Sequence, residues 1–262
     1  MSQLHIFIDG SWLYKVVAPE RVLAAKTENP TQAFRLDFQK LDRALLKHVQ
    51  KHDAKCTATG DRFLSTSVFS IPADLDKWPD EDDTILPAQI ERAQRGIFAR
   101  NRFVKTATDV GYSEEAVYRP MLRPWILEKL TAGQYQEKQV DATVVALLVR
   151  SAIVNPNDYH CVITGDADIL PAIKVAYPKY SQNVLIATTH PDELRAEHRQ
   201  TSFSFSSFEF RIPALYLQDE VINILQGSNM YECAHCHKIF TRPKAIPKSV
   251  RPCCIVCHAQ RT

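Results

Sequence analysis

The chain has 262 residues, enough to bury a large core. Its 45% hydrophobic and 24% charged residues are a globular composition that excludes wholesale disorder, and no apolar run is long enough to cross a bilayer, so no membrane partner is expected. The formal net charge of +2 hides an asymmetry: residues 230–262 carry six basic residues against one acid, a net of +5, which leaves residues 1–229 at about −3.

The opening MSQLHIFIDGS has no basic region before its apolar stretch and meets a carboxylate early, unlike a signal peptide, so a cytoplasmic protein is expected. In that compartment clustered cysteines suggest metal binding before disulfides, and five of the seven cysteines lie between 233 and 257. Gly227-Ser228-Asn229 reads as a hinge, dividing the chain into a main domain, 1–228, and a small module, 229–262.

In chain order, LHIFI (4–8) is a compact apolar run ending at Asp9-Gly10, as a buried parallel strand does. A helix is expected over 37–52, with Leu41, Leu45, Leu46 and Val49 at helical spacing. FLSTSVFSI (63–71) reads as a strand ended by Pro72, and DLDKWPDEDD (74–83) as an acidic loop. A helix over 84–100, a strand around FVKTA (103–107), an irregular stretch at 119–124 and a helix over 138–153 follow. HCVIT (160–164) and NVLIAT (183–188) are strands, SFSFSSFEF (202–210) alternates like an edge strand, and 213–226 reads as a helix. Strands alternating with helices predict an α/β fold with a parallel sheet covered on both faces.

Acidic residues fall where such a sheet keeps its ligand site. Asp9 follows the first strand, and Asp166 and Asp168 follow the strand at 160–164; ligands bind outside the carboxyl ends of parallel strands. If those strands are neighbours, the three aspartates converge. Asp141 shares a helix face with Val145, Leu148 and Ala152, and a carboxylate aimed at the sheet needs a partner. Mg²⁺ or Mn²⁺ suits oxygen ligands gathered in this way. Each aspartate alone also fits a helix-capping role, and capping alone explains the set of four poorly.

FIDGSWLY (7–14), KQVDATVVALLV (138–149) and VITGDADILPAI (162–173) resemble the three signature segments of the NYN family of PIN-like nucleases, over about residues 4–190. The resemblance implies a Rossmann-like sheet and a metal-dependent endoribonuclease, a hydrolase of RNA phosphodiester bonds. Its acidic cluster maps onto Asp9, Asp141, Asp166 and Asp168, holding Mg²⁺ or Mn²⁺. Family members usually carry Asn three residues after the first aspartate, where this chain has Trp12 and offers Ser11 nearby. Many carry a second acid about two turns along the helix, here Leu147-Leu148. These departures support an alternative, a non-catalytic RNA-binding or adaptor protein. A Rossmann-like phosphatase would want Asp-x-Asp after the first strand, and Asp9-Gly10-Ser11 lacks the second acid.

Arg92, Arg95, Arg100, Arg102 and Lys105 crowd one stretch with one acid, Glu91, and Lys138 begins the second signature segment. They read equally as a phosphate track or a solvated face. In the tail, Cys233-x₂-Cys236 and Cys254-x₂-Cys257 are two knuckles that predict one structural Zn²⁺ in a zinc ribbon. His237 or His258 could replace a thiolate. The Cys-x-x-Cys-His pattern of each knuckle is also that of c-type haem attachment, which a segment this small does not accommodate twice. Lys238, Arg242, Lys244, Lys248 and Arg251 surround the site, with Phe240 available for stacking on a base. RNA is the expected partner of this surface, DNA is not separated from it, and a protein partner at Ile239, Phe240 and Ile246 is the alternative.

Overall fold

The computed structural model describes residues 2–78, 87–135, 137, 139–177, 183–190 and 210–260. Six parallel strands form one sheet in the order β3-β2-β1-β4-β5-β6. They are β1 (Ser2–Asp9), β2 (Cys56–Ser67), β3 (Val117–Tyr118), β4 (Tyr159–Ile163), β5 (Val184–Thr188) and β6 (Leu215–Tyr216). This is the doubly wound order, in which the chain lays strands to one side of β1 and then crosses to the other. The crossing point lies between β1 and β4, which pair directly from Leu4↔Tyr159 to Ile8↔Ile163.

Alternation along β1 sorts its residues between two cores. Leu4, Ile6 and Ile8 face the side covered by α1 (Gly10–Val16), α3 (Phe38–Gln50) and α4 (Pro87–Thr108). Phe7 faces α6 (Gln139–Val154) and α7 (Leu170–Ala176), packing with Phe63, Val162, Val144, Leu148 and Ile173. On that second face Phe63, Phe7, His160 and His5 form a continuous ring stack with centroid spacings of 5.8, 6.1 and 5.2 Å. His5 Nδ1 accepts from the Asp61 N–H, so its Nε2–H donates to Asp158 Oδ2 at 3.1 Å. His160 takes the Tyr177 hydroxyl on Nδ1 and meets Ser151 Oγ at 3.1 Å. On the first face Asp42 is buried between Arg62, 2.7 Å away, and the Tyr112 hydroxyl, tying α3 to β2 and to the turn after α4.

Several elements depart from expectation. Residues 103–107 are the last turns of α4, because Ile90, Ile97 and Val104 recur at seven-residue intervals as its buried stripe. β2 starts earlier than residue 63 and stops at Ser67. Beside the stretch expected to be irregular lie β3 and α5 (Pro124–Thr131), with Pro124 at the first position of α5. Instead of one helix over 213–226 there are β6 and the short α8 (Val221–Ile224), because Leu217 N–H bonds to Thr188 O and extends the sheet past β5. Most of the strand expected at 202–210, the acidic loop from residue 79 onward, and Lys138 lie outside the described residues. Among the described residues no helix is long and apolar enough to cross a membrane.

The module at 229–262 pairs β7 (Met230–Glu232) antiparallel with β8 (Ile239–Thr241) and ends in α9 (Ile255–Ala259) around a small core of Cys233, Phe240 and Cys254. Gly227 (φ 121°) and Asn229 (φ 52°) make the left-handed turns leading into it. It is seated on the main domain. α2 (Val22–Ala25) leads into Lys26–Glu28, where Lys26 O accepts from Ile239 N–H at 2.8 Å and Glu28 N–H donates to Ile239 O at 2.9 Å. Glu28 also accepts from Ile255 N–H at 2.6 Å and pairs with Arg242 at 3.3 Å.

Candidate metal centres

The first centre stands at the carboxyl ends of β1 and β4. Asp9 is the last residue of β1 and caps α1, its Oδ1 accepting from Trp12 N–H at 2.9 Å while Oδ2 takes the Thr164 hydroxyl at 3.2 Å. The close approach of Gly10 to β2 is obligatory, since a Cβ there would stand 2.9 Å from Leu64 Cδ1 and from Ser65 O. Asp166 caps the short turn at 167–169, accepting from Asp168 N–H at 2.9 Å, and its own N–H donates to Thr164 Oγ1. Gly165 has no room for a side chain because a Cβ would meet the Trp12 indole nitrogen at 2.2 Å. The capping roles open to these aspartates are therefore real for Asp9 and Asp166.

Capping does not account for where the remaining groups go. Asp9, Asp141, Asp166 and Asp168 line one cleft with Thr164, Val144, Val145 and Ile169, and among the described residues no basic side chain lines it. Its volume, about 20 Å³, holds one water-sized or ion-sized body. Burial, helped by the Asp141 and Asp166 charges, outweighs the bonds from Trp12 and Thr164 and pushes the Asp9 carboxyl up to about 6. Asp141 is raised too, first by burial and then by Asp166, Glu137 and Asp168, with Lys15 opposing. Two carboxylates pushed upward, Asp9 and Asp141, around an ion-sized space with no basic lining among the described residues fit the donor chemistry of a hard divalent cation.

Other residues also reach this end of the sheet: Glu137 and Ser65, which the sequence did not single out, and Arg100 and Ser11, which it did. Glu137 caps α6 by accepting from Val140 N–H and adds negative charge beside Asp141. Arg100 of α4 lies over the Tyr14 ring at 4.8 Å, donates to Ser67 O at 3.2 Å and feels the Asp9 charge. Burial lowers the Arg100 pKa from its ordinary value. Ser65 pairs with Asp9 across the strands, and the buried Ser11, Ser65 and Ser67 hydroxyls have no hydrogen-bond partner among the described residues. Thr164 was within reach of the sequence, as the residue between β4 and Gly165-Asp166; the Arg100 placement follows from α4 packing and left no local signal. Arg92, Arg95 and Arg102 are exposed on α4, with Arg95 paired to Glu91 at 2.9 Å.

Comparison with protein-family models, curated proteins and solved structures finds no match to this chain. Its chemistry rests on its own geometry.

The second centre is in the C-terminal module. Cys233, Cys236, Cys254 and Cys257 bring their sulfurs within 4.8 Å of one another, and among the described residues no other set of possible ligands gathers so closely. Cys236 and Cys254 Sγ are 3.7 Å apart. A tetrahedral Zn²⁺ with bonds of about 2.3 Å requires sulfurs about 3.8 Å apart, so the quartet fits zinc. One convergent point for four thiols also disfavours two separately attached haems. Backbone N–H groups point at the sulfurs, Cys254 N–H to Cys233 and Cys257 N–H to Cys254, each at 3.4 Å. Burial would raise the Cys233 thiol, but the N–H groups of Cys236, Cys254 and His235 outweigh it and hold it well below its ordinary value.

The flanking residues divide sharply. His237 turns outward with φ 59° and pairs with Glu232 at 2.7 Å, so it does not compete for the metal. Phe240 is buried under the Arg242 guanidinium, 4.4 Å from its ring, and is not available for base stacking. Arg242 is held by Glu28 and by the carbonyls of Thr241 and Cys253. Lys244 is exposed.

Proposed function

We propose that the chain is a divalent-cation-dependent endoribonuclease of the NYN group, with a zinc ribbon that helps hold RNA. The observation that carries the reading is the convergence of Asp9, Asp141, Asp166 and Asp168, from three separate segments, on one ion-sized cleft at the sheet's switch point. The same three segments carry the NYN resemblance. Asp9, Asp141, Asp166 and Asp168 would hold a Mg²⁺ or Mn²⁺ ion, which would supply a water of lowered pKa and offset charge on the scissile phosphate.

The chain's own residues do the rest. Thr164 holds Asp9 in place by its hydroxyl and Asp166 by accepting its N–H, which fixes two of the four carboxylates relative to each other. Lys15, whose charge acts on Asp141, and Arg100, which feels the Asp9 charge, offer positive charge to an incoming phosphate. The exposed arginines of α4 extend that charge along the outer surface.

The deciding experiment incubates labelled RNA and DNA with Mg²⁺, with Mn²⁺ or with no added cation, beside Asp166→Asn. The wild type should cut RNA only with cation, and Asp166→Asn should lose at least about 100-fold in rate while keeping its zinc and its melting temperature. Equal rates for the two proteins would sink the assignment. Trp12 in place of the usual Asn favours the alternative of a non-catalytic RNA-binding or adaptor protein, whose signature in the same assay is RNA bound but uncut.

A further inference from the structure

Beside the cysteine quartet, on the outer side of the module, lies an open groove of about 440 Å³. Arg242, Lys244, Arg251 and His258 line it together with Ile246 and Val250, and among the described residues no acidic side chain lines it. The cations are not equivalent. Arg242 is occupied by Glu28, as described, whereas Lys244 and Arg251 are exposed and have no hydrogen-bond or ion-pair partner among the described residues. Val250 is 52% exposed in a module whose own core is only a few side chains. Ile246 is anchored from behind, its N–H donating to the Tyr231 hydroxyl at 2.8 Å, so the loop carrying Lys244 is held in place rather than free to collapse onto the groove.

Unpaired cations over an apolar floor, without a carboxylate, fit a polyanion with an apolar side. Protein-binding patches concentrate aromatic residues at their centre, and this lining has none, because Phe240 is turned inward. A concavity of this volume has room for the backbone of one strand. We propose that the groove seats the phosphate backbone of single-stranded RNA, with Lys244 and Arg251 as the phosphate contacts and Ile246 and Val250 beneath the sugars. It rests on the reading that the chain acts on RNA, and it moves the ribbon's contact away from Phe240 and Arg242. Without an aromatic platform the groove grips any base sequence with similar strength.

The test uses full-length, zinc-loaded protein and a fluorescently labelled single-stranded RNA, with no added Mg²⁺ or Mn²⁺, followed by anisotropy over a range of salt concentrations. In the double variant Lys244→Gln, Arg251→Gln, affinity should fall and the slope of log Kd against log salt should shrink by about 1.4, that is about 0.7 for each lost phosphate contact. Zinc content reports that the module is still folded; if the double variant loses zinc, the two single variants should each show about half the change in slope. Unchanged affinity and slope overturn the proposal, as does polyglutamate competing as effectively as RNA of equal charge. The nuclease reading fails separately: wild type that binds RNA through the groove but never cuts it leaves this site standing, and cutting with a groove-independent affinity does the reverse.

Discussion

At the scale of single residues, Asp9 and His160, two of the perturbed groups of the sheet, titrate in opposite senses. Asp9 has its folded pKa raised from 3.8 to about 6, so the folded chain holds a proton that the unfolded chain releases. Its contribution is lost as pH rises through that window, and at neutral pH the fold carries a buried charge at a cost of up to about 3 kcal/mol. Asp9→Asn should therefore melt higher than wild type at neutral pH without added cation. Mn²⁺ should raise the melting temperature of the wild type and leave the variant nearly unmoved; equal shifts in both would contradict a cation at Asp9. His160 behaves in reverse, its pKa lowered from 6.5 to about 4 by burial and by the neighbouring His5. Between those values the unfolded chain takes a proton that the folded one refuses, so stability declines as pH falls. Urea midpoints measured across that window should fall less steeply for His160→Asn than for wild type. An identical slope would place the acid sensitivity elsewhere.

At the scale of elements, the junction of α1 with the end of β4 is the tightest point around the acidic cleft. Gly165→Ala forces a methyl group into the Trp12 indole, whose ring cannot yield as a flexible chain end would. Chemical denaturation should show a loss of about 1–3 kcal/mol, with any activity reduced further because Trp12 and Asp9 share the α1 cap. This junction was legible in the sequence: an apolar run stopping at Asp9-Gly10 and another at Gly165-Asp166 announce strand ends from local composition alone. Other elements were not. Phe103, Val104 and Thr106 are good strand formers, and only the burial of Val104 in register with Ile90 and Ile97 keeps them helical. Leu217, Val221 and Ile224 recur at helical spacing, yet β5 offers the backbone of Leu215–Leu217 partners from a remote segment. In the candidate site the aspartates could be found because each sits at the end of a regular element. Arg100 was named only as one of a basic stretch, and Glu137 and the Ser65 and Ser67 hydroxyls were not found, because their relevance depends on which helix is laid across which strand.

For the whole molecule, the question is how the ribbon and the sheet domain act together. The charge division between them predicts two separable units, but Glu28 is a main-domain side chain with both its oxygens engaged by the ribbon. Glu28→Ala removes an acceptor from the first N–H of α9 and a partner from Arg242. Transfer of zinc to a chromogenic chelator should be faster in that variant than in wild type, at unchanged zinc stoichiometry. Equal transfer rates would mean that the ribbon holds its geometry unaided.

The pairing of Ile239 with Lys26 and Glu28 has a practical corollary. A chain cut at residue 228 is more than the sheet domain without its C-terminal module. Leu225 and Gly227 carbonyls, which receive the Lys40 ammonium, would become part of a fraying end, and the Lys26–Glu28 backbone would offer unpaired edges to solvent or to another chain. Loss of activity or aggregation in such a fragment would thus report an exposed seam, and ribbon function is better probed by changes on its outer surface than by its removal.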